Sequence, residues 1–388
     1  MGRVSSVPDP ASLSVWSRLA DRAYGLRDSI LASQRFQIMA ARFPLTRRIS
    51  ARRARDCFDL CAGFVYSQVL FACVKLDLFE LLARRPLSVA EVARQAKLNE
   101  DAARRLLLAA ASLDLLQDRG QDRFGLGQIG AAMRANPGVK AMIEHHAVFY
   151  ADMADPVALL RGEVTETKLA RYWPYADGIN PASLVTSDVA PYTNLMATSQ
   201  QFVATDVLDA YDVSRHKRLM DVGGGDGSFL RSAAARAPAL DLTLFDLPAV
   251  VETARPRFSA AGLADRATLV GGSFSHDPLP RGADLVTLVR IAHDHGDDLV
   301  EKLLAAIFAA LEPGGTILIA EPMAGDANSA PMADAYFGFY LLAMGKGRAR
   351  KPSELMAMLT RSGFVAPQQF AMPRPLLSGL IQARKPGI

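Results

Sequence analysis

Leu219-Met220-Asp221-Val222-Gly223-Gly224-Gly225-Asp226-Gly227 decides the fold. A short apolar run ends in a glycine-rich turn immediately before a helical pattern. Glycine lets the backbone bend sharply there and lets a ligand approach the main chain with no Cβ in the way. Working outward, short apolar runs at 218–222, 241–245, 267–271, 284–289 and 315–320 alternate with helical patterns. That alternation predicts an α/β domain with a parallel sheet built from βαβ units. Two further strands, near 365–371 and 376–383, follow a helix opened by Ser353. Open sheets of this kind bind ligands at the carboxyl ends of their strands, so function is expected just after them.

The turn at Gly223 lacks the dinucleotide fingerprint, because the position needing Gly or Ala is Ser228, and no Gly-Lys-Ser/Thr follows to make a phosphate loop. The second strand ends in Phe245-Asp246-Leu247-Pro248, 25 residues after Asp221. An acid at that tip can accept both hydroxyl hydrogens of a ribose, which points to a nucleoside. After the third strand, Gly271-Gly272-Ser273-Phe274 offers a polar group for an adenine edge and a ring for its face, or else ordinary turn chemistry. The fourth leads into Arg290-Ile291-Ala292-His293-Asp294-His295, and the fifth into Ile319-Ala320-Glu321-Pro322. One histidine can serve as a base, with Glu321 orienting it through its other ring nitrogen.

The preceding half reads as mainly helical. Ser88 and Glu91 form a capping box, Asn99 can cap a second helix carrying Leu106, Leu107 and Leu108, and Leu115–Gln117 leads through residues 118–122 to Phe124. Two helices and a small hairpin make a winged-helix pattern. Residues 86–120 hold five basic and five acidic side chains, however, and DNA affinity rests on phosphate neutralisation. DNA binding is therefore not expected. Residues 1–56 carry eleven Arg and four Asp with no Lys or Glu, an arm that either stays solvated or rests on anionic lipid. Cys57, Cys61 and Cys73 read as reduced core residues, and no metal site is expected. The longest uncharged apolar run, Cys61–Val74, has 14 residues where a spanning helix needs ~20, and arginines interrupt any signal-like start, so a cytoplasmic protein without a transmembrane segment is expected.

Together, Asp-Val-Gly-Gly-Gly-Asp-Gly, Phe-Asp-Leu-Pro, Gly-Gly-Ser-Phe, Ala-His-Asp-His, Glu-Pro-Gly-Gly and a closing Ser-Gly-Phe resemble the S-adenosylmethionine-dependent O-methyltransferases of the caffeate and hydroxyindole type. Residues 55–70 are similar to one branch, which methylates acyclic carotenoids of the demethylspheroidene or hydroxyneurosporene type. The resemblance covers roughly residues 57–388. It implies a Rossmann-like methyltransferase domain at 216–388 and an α-helical winged-helix dimerisation and substrate domain at 56–215, which leaves the Arg-rich arm at 1–55 outside it.

The resemblance also implies S-adenosyl-L-methionine as cofactor, held by Gly223, Gly225, Asp246, Ser273, Phe274 and Arg290, with His293 as general base and Glu321 holding it. It implies a homodimer acting on a hydroxylated small molecule, in peripheral contact with an inner or photosynthetic membrane if the acceptor is a carotenoid. Two positions depart from the plant pattern: His295 replaces Trp, and Ala349 replaces a second histidine-supporting glutamate. Met332–Met344 and Met142–Met153 offer Met and aromatic side chains that either line an apolar acceptor channel or simply fill the core. Three readings follow: carotenoid hydroxyl methylation, methylation of a soluble aromatic or polyketide hydroxyl, and a non-catalytic winged-helix regulator.

Overall fold

The computed structural model describes residues 14–173, 186–325, 331–372 and 378–387. Helices α1 (Val15–Ala32), α2 (Gln34–Arg42) and α3 (Arg47–Lys75) come first. The Ser14 and Ser33 hydroxyls accept from the backbone N–H of Ser17 and Phe36, which caps the first two. Neither α1 nor α2 buries a residue, whereas α3 sinks Cys73 and Val74 into the core. Cys57 and Cys61 stand exposed, so only one of the three cysteines is the core residue expected of all three. The N-terminal half of α3 projects beyond the core that covers its last turns.

By length and composition α3 is also long and apolar enough to cross a membrane. The 14-residue uncharged run within it is shorter than this length, because the apolar stretch extends past an occasional charge. Its C-terminal part nevertheless belongs to a packed domain, with Val69, Leu70 and Phe71 against the cluster of Cys73, Leu107, Leu116 and Phe124.

Strand β1 (Leu87–Ser88), helices α4 (Val89–Ala96) and α5 (Glu100–Ser112), and strands β2 (Leu116–Asp118) and β3 (Arg123–Leu126) form the winged helix. The capping box is present: Ser88 Oγ accepts from Glu91 N–H at 3.3 Å while Glu91 accepts from Ser88 N–H at 2.8 Å. Asn99 Oδ1 caps α5 at 2.7 Å, and the wing pairs in the order β1-β3-β2. Helices α6 (Pro137–Asp152) and α7 (Thr186–Ala210) then lead to the larger domain.

That domain contains β4 (Arg218–Val222), α8 (Ser228–Arg236), β5 (Asp241–Asp246), α9 (Pro248–Ala260), β6 (Ala267–Gly271), β7 (Leu285–Val289), α10 (Asp297–Ala310), β8 (Thr316–Glu321), α11 (Gly338–Met344), α12 (Pro352–Arg361), β9 (Val365–Phe370) and β10 (Gly379–Arg384). The sheet order is β6-β5-β4-β7-β8-β10-β9, with β10 antiparallel to both neighbours. Alternate residues face opposite sides. Leu219, Leu242 and Leu285 pack with Val207 of α7 and Phe229 of α8, whereas Met220, Val286 and Ile317 pack with Leu303 of α10 and Leu359 of α12. A sheet covered on both faces explains why its strands read as continuous apolar runs. Helix α12 starts at Pro352 and not at Ser353, since proline suits the first helical position and Glu354 accepts from Lys351 N–H at 2.8 Å. The first residues of the expected final strand, 376 and 377, lie outside the described residues.

Candidate active site

The strand order reverses direction around β4 and β7, and the loops after them carry the site. Gly223 has φ +72° and a Cβ there would meet Ile291 Cδ1 at 2.5 Å; Gly225 has φ +59° and a Cβ there would meet nothing within 4 Å. The first glycine is thus required for close packing, and the second opens the main chain toward a cavity. Beneath the turn lies Asp221, fully buried, accepting from Thr287 Oγ1 at 2.6 Å. Burial raises its pKa to about 7, with the Thr287 bond opposing this and the Asp246 charge adding to it. Its Oδ2 has no partner among the described residues.

The cavity above has a volume of about 220 Å³ and is lined by Gly223, Gly225, Asp246, Ser273, Phe274 and Arg290, so one space gathers all six residues expected to bind cofactor. Asp246 accepts from Gly225 N–H at 2.8 Å and Leu247 N–H at 2.7 Å. Burial raises its pKa to about 6 against those two bonds. Ser273 N–H donates to Asp277 at 2.8 Å, which shapes the third loop. Phe274 meets His295 edge to face, with centroids 5.3 Å apart. His295 therefore forms part of the cavity wall, where burial and the His293 charge lower its pKa to about 4. An open glycine main chain, a half-buried carboxylate and an aromatic wall together fit a nucleoside.

Arg290 takes φ +61°, a left-handed conformation that is costly for a side chain of this size and turns the chain sharply after β7. That turn sends Ile291, Ala292 and His293 across the end of β8, where Glu321 accepts their N–H groups at 2.8, 2.6 and 3.4 Å. The same carboxylate bonds His293 Nδ1, as expected. Unexpectedly, His293 Nε2 faces Asp294 Oδ1 at 3.1 Å. Burial alone would lower the His293 pKa, but Asp294 and Glu321 outweigh it and hold it above the ordinary value. Burial raises Asp294 to about 6, with the histidine's charge pulling the other way.

Ala349 supplies no carboxylate, yet its neighbour braces this loop. Arg350 is 2% exposed and donates to the carbonyls of Ala292 and His295 at 2.6 and 2.7 Å and to Asp297 at 2.9 Å. Gly347 packs so closely that a Cβ would run into the His293 carbonyl, while Arg348 N–H donates to that same oxygen at 2.8 Å.

A second cavity of about 270 Å³ has His293 in its wall and shares Trp173, Met196, Arg290 and Asp294 with the first. The remaining wall is mainly apolar and aromatic, drawing Met142 from α6, Val203 from α7, and Met332, Phe337 and Tyr340 from the stretch ending in α11. Hydrogen bonds of 2.8 Å join His145 to Tyr340 and His146 to Tyr336. Both aromatic stretches thus contribute to a lining as well as to core. Trp173, Met196 and Arg350 carry no local sequence signal for a site; Asp294 does, standing beside His293.

Residues 150–365 match the O-methyltransferase domain and residues 58–133 the O-methyltransferase dimerisation domain. The chain belongs to the O-methyltransferase family. Demethylspheroidene O-methyltransferase of Cereibacter sphaeroides is 44% identical over 92% of this chain and 94% of its own. Mouse acetylserotonin O-methyltransferase is 31% identical over 82% of this chain and 86% of its own. The structure of human N-acetylserotonin methyltransferase in complex with SAM superposes with a TM-score of 0.73 at 26% identity, covering 86% of this chain and 98% of that one. The enzyme therefore combines the family's methyltransferase fold with its helical dimerisation domain, and the regulator reading falls away.

Proposed function

We propose that this O-methyltransferase uses S-adenosylmethionine to methylate a hydroxyl of an acyclic carotenoid, of the demethylspheroidene or hydroxyneurosporene type, in spheroidene synthesis. The observation that carries this reading is the pair of cavities meeting at Arg290 and Asp294: one fits a nucleoside, the other is mainly apolar, with His293 in its wall on the side the two share. The name borne by the Cereibacter relative supports the acceptor class.

S-adenosylmethionine, when bound, supplies a methyl group on a positively charged sulfur that leaves as a neutral thioether. Gly223 and Gly225 would admit it to the main chain, Asp246 would hold the ribose, and Ser273, Phe274 and Arg290 would complete its wall. His293 would take the acceptor's hydroxyl proton on Nε2 while Glu321 holds Nδ1–H. In the structure Asp294 faces Nε2, so the acceptor hydroxyl must replace that contact. The raised imidazole pKa makes neutral His293 a stronger base for that proton. An aliphatic alcohol is a weak acid, and proton removal accompanies methyl transfer.

The chain divides into an arm at 1–55, a dimerisation and substrate domain at 56–215 and a methyltransferase domain at 216–388. Homodimerisation through the dimerisation domain would cover the exposed Phe58, Leu60 and Phe64 of α3. A long polyene resides in bilayers, so the enzyme works as a cytoplasmic protein in peripheral contact with a membrane. Incubation with labelled S-adenosylmethionine against hydroxylated carotenoids and phenols, with products identified by mass, tests the reading. A methylated carotenoid is expected. Turnover of phenols alone would replace it with the soluble aromatic reading.

A further inference from the structure

Half of the large hydrophobic side chains that stand exposed among the described residues fall between Val15 and Ile49. Helix α1 places Val15, Leu19, Leu26 and Ile30 on one face at helical spacing, with Arg18 and Arg22 along its border. Trp16 at the edge of that face is 81% exposed. Helix α2 leaves Ile38 and Met39 outside, and the loop before α3 leaves Phe43 and Leu45. Residues 14–56 hold ten Arg and three Asp, with no Lys or Glu. Five of these arginines, from Arg47 to Arg55, lie at the start of α3.

Basic and large apolar side chains interleaved on exposed helices match one partner chemistry in both respects, an anionic bilayer that takes apolar groups below its headgroups and pairs arginine at their level. Nucleic acid would satisfy the charge but has no use for Leu19, Leu26 and Ile30. A second arm would meet like charge. We propose that α1, α2 and the first turns of α3 lie on an anionic lipid surface, with α1 parallel to it. The contact is peripheral, because the last turns of α3 are packed into the dimerisation domain and do not span. The inference deepens the reading of a membrane-borne acceptor and rests on it for purpose, but its test contains no acceptor, so the two can fail separately.

Full-length enzyme is sedimented with phosphatidylcholine vesicles, with and without phosphatidylglycerol. Binding is expected only to the anionic vesicles, and it should fall about tenfold or more in a variant carrying R18Q, R22Q, R35Q and R42Q. Raising salt from ~0.1 M to ~1 M, which shortens the screening length from about 10 Å to about 3 Å, should release the wild type. Trp16 emission should shift to the blue on binding, a change the Trp16→Phe variant lacks. The substituted side chains are not buried, so affinity for S-adenosylhomocysteine serves as the check that the variant is folded. No binding, or equal binding to neutral vesicles, overturns the proposal. A changed oligomeric state in the four-arginine variant would also overturn it, assigning this surface to the interface between copies.

Discussion

The two cavities of the site share four residues yet are built in opposite ways. The cofactor-side cavity comes largely from loops directly after β4 to β7, where each motif occupies a few consecutive residues and backbone, carboxylate and small polar groups stand among the apolar side chains of the wall. The acceptor-side cavity is assembled from α6, α7, the loop after β7 and the stretch ending in α11, segments separated by scores of residues, and its wall is mostly apolar. A loop at a strand's end is held by the sheet and can be recognised locally. An apolar wall uses the same residue types as the core, so only tertiary structure distinguishes the two.

His293→Ala should give the largest effect, because this side chain stands in the acceptor wall while its support comes from behind the cofactor loops. Turnover should drop by ~10²–10⁴-fold with S-adenosylhomocysteine affinity nearly unchanged, as read by steady-state kinetics and calorimetry. Wild-type activity should rise with pH as the imidazole loses its proton, and the midpoint should lie above ~6.5 because Asp294 and Glu321 raise the pKa. Glu321→Gln removes one of those charges and should move the midpoint down. If the alanine variant keeps near-normal turnover, alignment of the two substrates suffices without a base.

Asp246→Ala tests the other cavity. Charge-assisted bonds to a ribose are worth ~1.5–3 kcal/mol each, so calorimetry should show at least about tenfold weaker S-adenosylhomocysteine binding. Acceptor KM should move little. Equal losses in both would mean that the shared residues tie the cavities into one binding unit, and unchanged cofactor affinity would remove Asp246 from the ribose. His295→Ala belongs with this variant: its ring lies against Phe274, so it should weaken cofactor and spare the chemical step.

This contrast also accounts for what was legible in the sequence. The strands, the capping box at Ser88 and the His293–Glu321 pair were readable because each depends on local pattern or on position at a strand's carboxyl end. Asp294 was visible but unread, since nothing in the sequence says which nitrogen of His293 it will face. Arg350 carries no local signal: the pattern shows only a carboxylate missing at Ala349, whereas support for the loop comes from a buried guanidinium bonding two carbonyls. The exposed Cys57 and Cys61 show the limit of composition, which detects an apolar helix but not where the core stops.

Tyr336→Phe sharpens the comparison at the acceptor side. Its hydroxyl bonds His146, one of the polar contacts in a mainly apolar wall. Removing it leaves the ring in place but frees a partly buried histidine, whose pKa burial already holds below the usual value. Acceptor KM should rise by about tenfold or less, with cofactor affinity unchanged. A loss confined to cofactor affinity would show that the wall serves the nucleoside.

The smallest effect is expected under the glycine turn, at Asp221. Its pKa is about 7 in the folded chain, against an ordinary carboxylate value of 3.8 once unfolded. Between those values the folded state holds a proton that the unfolded state lacks. The stability this group contributes is therefore fully present below the unfolded value and is lost as pH rises through about 7. Asn at this position keeps the acceptor for Thr287 and cannot ionise, so Asp221→Asn should flatten the fall in melting temperature between pH ~5 and ~8 by a few degrees. Asp294 and His293, whose raised pKa values act in the same direction, remain in both proteins and cancel in the difference, while Asp246, coupled to Asp221 by charge, adds to the effect of the substitution. Parallel curves for variant and wild type would mean that Asp221 stays ionised beneath the turn, with its charge compensated by the surrounding backbone.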